Sequence, residues 1–76
     1  MEGCKMPLNL AAFDSLYEIQ KICGNEKERH YLESLGFTVG TGVRVLSEIH
    51  GYFIVQILES RIGIEKQMAQ NVILVA

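Results

Sequence analysis

Positive charge is scarce in this chain. Seven lysines and arginines are scattered among 76 residues, against nine aspartates and glutamates, for a net charge of −2. A domain that grips nucleic acid through its phosphates gathers Lys and Arg on one face, so no nucleic-acid partner is expected. A helix lying on a membrane surface needs a similar basic face and is disfavoured for the same reason. No apolar run approaches the ~20 residues of a spanning helix, so no membrane insertion is expected either. The first ten residues are too few and too polar to supply the apolar core of a secretory leader. A cytoplasmic protein is the expectation, with Cys4 and Cys23 as reduced thiols rather than a disulfide.

Spacings that mark a reactive site are also missing. The metal donors are Cys4, Cys23, His30, His50 and carboxylates, but no CxxC, HxxxH or HExxH pair links them. Structural zinc sites have such a close pair, so His30 and His50 are weak candidates and solvated imidazoles are the plainer reading. Cys23 and His30 would sit at a strand end and on a helix, with no third group to orient them. The glycines Gly36, Gly40 and Gly42 follow a helix instead of leading into one, which is the reverse of a phosphate cradle. Glu26 with Glu28, and Glu33 with Glu48, read as solvated carboxylates. Tyr17, Tyr31 and Tyr52 do not interleave with a basic patch, which removes the argument for RNA stacking. No enzyme, cofactor or catalytic residue is expected.

What is present is a well-punctuated fold. A chain of this length makes one small domain and buries only about 60% of the surface that it exposes unfolded. Residues 1–5 read as a flexible end and 6–76 as the domain. Pro7 suits an extended approach, and Leu8, Leu10, Ala11 and Ala12 form an apolar patch, expected as one turn of helix across an open end of the fold. Asp14 and Ser15 turn the chain. Residues 16–23 form a first strand, with Ile19 and Ile22 three apart, a spacing that fits a bulge. Asn25 caps a helix over about residues 25–35, and Glu28 reaches back to complete a capping box. Tyr31, Leu32 and Leu35 share one helix face. Gly36 supplies the left-handed residue of a Schellman stop, and Phe37 follows it to pack on Leu32.

Four more strands follow, at residues 43–49, 52–58, 61–65 and 72–75. His50-Gly51 and Glu59-Ser60 are the reversals, and a helical turn at 66–70 precedes the last strand. Both faces of the 52–58 strand are apolar, so one is left for a helix, the N-terminal patch or a partner. The architecture is mainly β: a small five-stranded barrel with one inserted helix and a short helical turn before the last strand.

The stretch RHYLESLGFTVGTGVRVL resembles the FeoA family signature, through Leu32, Leu35, Gly36, Phe37, Gly40, Val43 and Val45. RIGIEKQMAQNVILV resembles that family's hydrophobic-small-hydrophobic strand, helical turn and final strand, through Ile62, Gly63, Ile64, Ala69, Val72 and Leu74. Leu8, Ile19, Ile22 and Gly24 extend the likeness over residues 6–76. Three turn positions depart from it: Val39 stands where proline is common, and Asp14 and Glu59 stand where glycine is frequent. The resemblance implies an SH3-like barrel and a non-enzymatic cytoplasmic accessory protein of ferrous iron uptake. Its implied partner is the cytoplasmic part of a membrane transporter with a G-domain, of the FeoB type.

An alternative implied by kinship with metal-dependent repressors is a regulatory domain that binds Fe(II) or another transition metal through His30 or His50. A third reading is a self-associating module, since the sequence leaves the oligomeric state open. The partner surface is expected at Leu35, Gly36, Phe37, Tyr52 and Arg61. For Leu35 and Phe37 a place in the core is an equal alternative.

Overall fold

In the computed structural model, residues 5–75 are described. Strand β1 (Lys5–Pro7) leads into a 3-10 turn at Leu8–Leu10, followed by β2 (Leu16–Ile22) and helix α1 (Glu26–Ser34). Then come β3 (Gly42–Ile49), β4 (Tyr52–Ile57), β5 (Ser60–Glu65), the one-turn helix α2 (Lys66–Ala69) and β6 (Val72–Val75). The strands form one antiparallel sheet in the order β1-β6-β2-β3-β4-β5. The expected five strands therefore become six. The additional one, β1, has three residues including Pro7, too few to show alternation, and it is defined by pairing Lys5–Pro7 with Val75–Ile73. Lys5 thus belongs to the sheet, while the rest of the expected flexible end lies outside the described residues.

The sheet wraps a core of Leu8, Ala11, Ile19, Leu32, Phe37, Val43, Val45, Phe53, Val55, Ile57, Ile64, Ala69, Val72 and Leu74. Each large side chain in it contributes about 1.5–3 kcal/mol by leaving water. Two irregularities bend the sheet. The register of β2 against β6 shifts between Ile19 and Lys21, where the isoleucine spacing predicts a bulge. A second shift, between Val45 and Ser47, interrupts the pairing of β3 with β4. Leu8 and Ala11 seal one end of the core, whereas Leu10 faces solvent.

Helix α1 starts and stops as the sequence predicts. The Glu28 N–H donates to Asn25 Oδ1 at 2.8 Å, and the Asn25 N–H donates to Glu28 Oε1 at 3.0 Å. At the other end Gly36 takes φ 107°, its N–H bonds Glu33 O at 3.0 Å, and the Phe37 N–H bonds Leu32 O at 3.0 Å. These two bonds are the 5→2 and 6→1 pair of a Schellman motif. Tyr31 departs from expectation. It is half exposed, and Leu32 is the helix residue that enters the core.

The hairpin turns differ in their chemistry. His50 and Gly51 both have positive φ, as a two-residue type I′ turn requires. The next reversal falls at Leu58-Glu59, one residue earlier than expected, because Ser60 pairs with Ile57. Leu58 takes φ 55°, a conformation that its side chain disfavours and that no local signal announces. Thr38–Thr41 forms a turn closed by a Thr41 N–H to Thr38 O bond of 3.1 Å, with Gly40 at φ 93° in its third position. That is the geometry of a type II turn, in which proline favours the second position, here Val39.

Two outcomes follow for urea unfolding. Gly36→Ala lowers stability by about 1–2 kcal/mol through backbone strain, since the added methyl would meet nothing nearer than Leu58 Cδ1 at 3.8 Å. Val39→Pro raises stability by about 0.4–1 kcal/mol, by restricting the unfolded chain at a position whose native φ proline shares.

Candidate functional site: an apolar face and its cleft

The registers align the outward-facing residues of the β3–β4–β5 hairpins into rows. Ile49 lies opposite Tyr52, which lies opposite Glu65. Ser47, Ile54 and Gly63 make the next row, and Leu16, Arg44, Gln56 and Arg61 the one after. Leu58 closes the face at the β4–β5 turn, 71% exposed. Leu16, Ile49 and Tyr52 are also exposed, and Ile54 is half buried. Several large apolar side chains exposed together on one mixed face of a small domain mark a candidate interaction site.

The face continues into a cleft of about 620 Å³ between α1 and the β4–β5 hairpin. Asn25, Lys27, Glu28 and Tyr31 line it on the helix side, and Tyr52, Gly63, Glu65 and Met68 on the other. Tyr31 and Tyr52 are each 47% exposed. The capping box holds the helix wall, and Asn71 Nδ2 donates to Glu28 Oε1 at 3.5 Å, which ties that wall to the turn before β6. Two tyrosines present apolar bodies with polar tips, and a methionine adds a flexible apolar chain, the composition of a surface that binds protein segments.

A smaller cavity of about 160 Å³ lies on the sheet face among Leu16, Gly42, Arg44, Gln56 and Leu58. Arg44 Nε is shielded from solvent there and has no hydrogen-bond partner among the described residues. A donor left in that state favours an incoming acceptor.

The expected surface residues separate in the structure. Tyr52 and Arg61 lie on the outer face, and Arg61 is exposed opposite Gln56. Leu35 and Gly36 are half buried, and the Leu58 side chain lies over Gly36, so the helix stop borders the same face. Phe37 does not belong to the surface. It is 0% exposed, because the 6→1 bond carries the chain back over the core. His30 on α1 and His50 in the hairpin turn are both exposed. Among the described residues, no three His, Cys, Asp or Glu side chains converge to hold a metal ion. Tyr31, Met68, Leu16, Arg44 and Leu58 were not singled out by the sequence. Tyr31 was read only as sharing a helix face with Leu32 and Leu35; Leu16, Arg44 and Leu58 acquire their neighbours through strand register, and Met68 through the placement of α2.

A short antiparallel sheet bent around one core, with a helix inserted after its second strand, is an SH3-like module. The FeoA domain family matches residues 6–76, and the chain belongs to that family of small accessory domains. Its structure superposes on that of an iron uptake regulatory protein (FeoA) with a TM-score of 0.85 and 28% identity, covering 93% of this chain and 95% of that one. A FeoA-like protein from Clostridium acetobutylicum gives a TM-score of 0.83 at 16% identity, covering 97% of this chain and 86% of the other. A manganese-dependent transcriptional repressor matches with a TM-score of 0.88 and 19% identity over 100% of this chain, but only 44% of its own. The last two likenesses establish the fold. Comparison with curated protein sequences gives no match.

The burial contrast gives a direct test. Phe37→Ala lowers stability by about 3–5 kcal/mol as a large core truncation, whereas Tyr52→Ala changes it by about 1 kcal/mol or less. Denaturant midpoints of the two variants measure the difference.

Proposed function

We propose that this chain is a non-enzymatic accessory protein of ferrous iron uptake, which binds and modulates the cytoplasmic part of a FeoB-like membrane transporter. Residues 6–76 act as one FeoA-type domain in this reading, and the protein works in the cytoplasm. The observation that carries it is the set of large apolar side chains left in water on one face, Tyr31 and Tyr52 at the cleft and Ile49, Leu16 and Leu58 around the Arg44–Gln56–Arg61 row. Family membership supplies the process. The ionisable side chains are dispersed, and no helix of the described residues is long and apolar enough to cross a membrane. What the domain offers a transporter is therefore a surface on which to dock.

Tyr31 and Tyr52 are the expected anchors, since half-exposed aromatics beside a cleft gain most from being covered. Arg61 and Arg44 bring positive charge to the outer face, where they suit acidic or carbonyl groups of the partner. Leu35 and Gly36 border the surface beside Leu58 and set its edge.

Calorimetric titration with the transporter's soluble cytoplasmic part tests the proposal. Stoichiometric binding is expected for the wild type, with a loss of about tenfold or more in affinity for Tyr31→Ser or Tyr52→Ser. Absence of binding, together with unchanged iron uptake after deletion of the gene, would overturn it.

A further inference from the structure

We propose that the free edge of β5 is a self-association surface, on which a second copy of this chain pairs its own β5 across a two-fold axis at Gly63. This goes beyond transporter docking and rests on strand geometry alone. Among the described residues β5 ends the sheet and pairs only with β4. The two-residue turn makes Ile57 and Ser60 a hydrogen-bonded pair, and such pairs alternate along an antiparallel ladder. Ser60, Ile62 and Ile64 therefore direct their N–H and C=O groups to β4, while Arg61 and Gly63 direct both of theirs outward and Glu65 its N–H, its carbonyl accepting the first bond of α2 as the N-cap residue. The preceding turn gives the same phase: Ile49 and Tyr52 close it, so Tyr52 bonds β3 and not Glu65.

Arg61, Gly63 and Glu65 are all exposed, and Gly63 and Glu65 open onto the cleft beside α1. No turn, loop or side-chain hydrogen bond among the described residues reaches these backbone groups. An unpaired edge of this kind is a template for another strand.

The charges on the edge select the occupant. With two antiparallel copies centred on Gly63, Arg61 lies opposite Glu65 of the second copy, and Glu65 opposite its Arg61. Every outward-directed residue then meets another: the Gly63 pair exchanges both of its backbone bonds, and each Glu65 N–H donates to the Arg61 carbonyl of the second copy. Ile62 is half buried and gains Ile64 of the second copy as its inner-face neighbour. A slip of one residue sets outward groups against groups already bonded to β4. A slip of two toward the turn places Glu59 against Glu65, two like charges, and parallel pairing brings like charges alongside each other. At the axis Gly63 adds no side chain, on a strand where a Cβ would already lie 3.4 Å from Ile54 Cδ1.

Sedimentation equilibrium from micromolar to millimolar concentration tests the pairing. The wild type is expected to dimerise weakly, as a small interface does. Arg61→Glu and Glu65→Arg should each raise the dissociation constant by about tenfold or more, by setting like charges opposite each other twice per dimer. The double variant R61E/E65R restores both pairs and should return to within about threefold of the wild type. All of these side chains are exposed, so circular dichroism should show each variant folded. A wild type that stays monomeric throughout, or a double variant no tighter than the singles, overturns the proposal. So does a transporter segment that occupies the β5 edge of a protein that never pairs with itself. Transporter binding by Tyr52→Ser is read separately, so either proposal can fail alone.

Discussion

Two hydrogen bonds at the end of α1 govern much of this small domain. The carbonyls of Leu32 and Glu33 are taken by the amides of Phe37 and Gly36, which forces the chain to reverse within two residues. The reversal requires the positive φ that Gly36 supplies, and it carries Phe37 into the centre of the core. Leu32 is the only fully buried residue of the helix, so α1 is held chiefly by that side chain, the capping box and this stop. A helix of nine residues has little stability of its own in water. Its position therefore depends on its ends, and so does the cleft that it walls.

The same economy shapes the sheet. With few residues available for a core, inward positions are filled by valine, isoleucine, leucine and phenylalanine, and little apolar surface can be spared for the outside. The outer face nevertheless keeps Leu16, Ile49, Tyr52 and Leu58 in contact with water. Leu58 does so at a backbone angle that glycine or asparagine would adopt more easily. An exposed leucine held at positive φ next to the helix stop is hard to account for by folding alone. It is easier to account for as a contact residue, and for that reason the face and not any titratable cluster carries the functional reading.

The legible parts of this chain were those specified over a few neighbouring residues. Asn25 and Glu28 announce the helix start, Gly36 its end, and the isoleucine spacing of β2 its bulge. His50-Gly51 likewise specifies its own turn. The features that escaped depend on partners distant in sequence. β1 exists because β6 pairs with it, and Lys5–Pro7 alone has no pattern to read. The reversal at Leu58-Glu59 is set by the register of Ser60 against Ile57, against the local preference of leucine. The row from Leu16 through Arg44 and Gln56 to Arg61 draws on four strands, so no sequence window contains it. The outward direction of Tyr52 and Arg61 was legible because hairpin alternation is itself local, whereas the side on which Tyr31 and Phe37 lie is decided only when the helix is seated on the core.

The pairing of Lys5 with Val75 sets the two ends of the described chain side by side in neighbouring strands. A domain so arranged can be spliced into a longer polypeptide as a loop, or have its old ends joined and new ones opened elsewhere, with little disturbance to the core. The repressor that shares this fold contains it as less than half of its chain. Adjacent ends make the fold portable, and a portable fold can serve as a separate accessory in one setting and as an appended module in another.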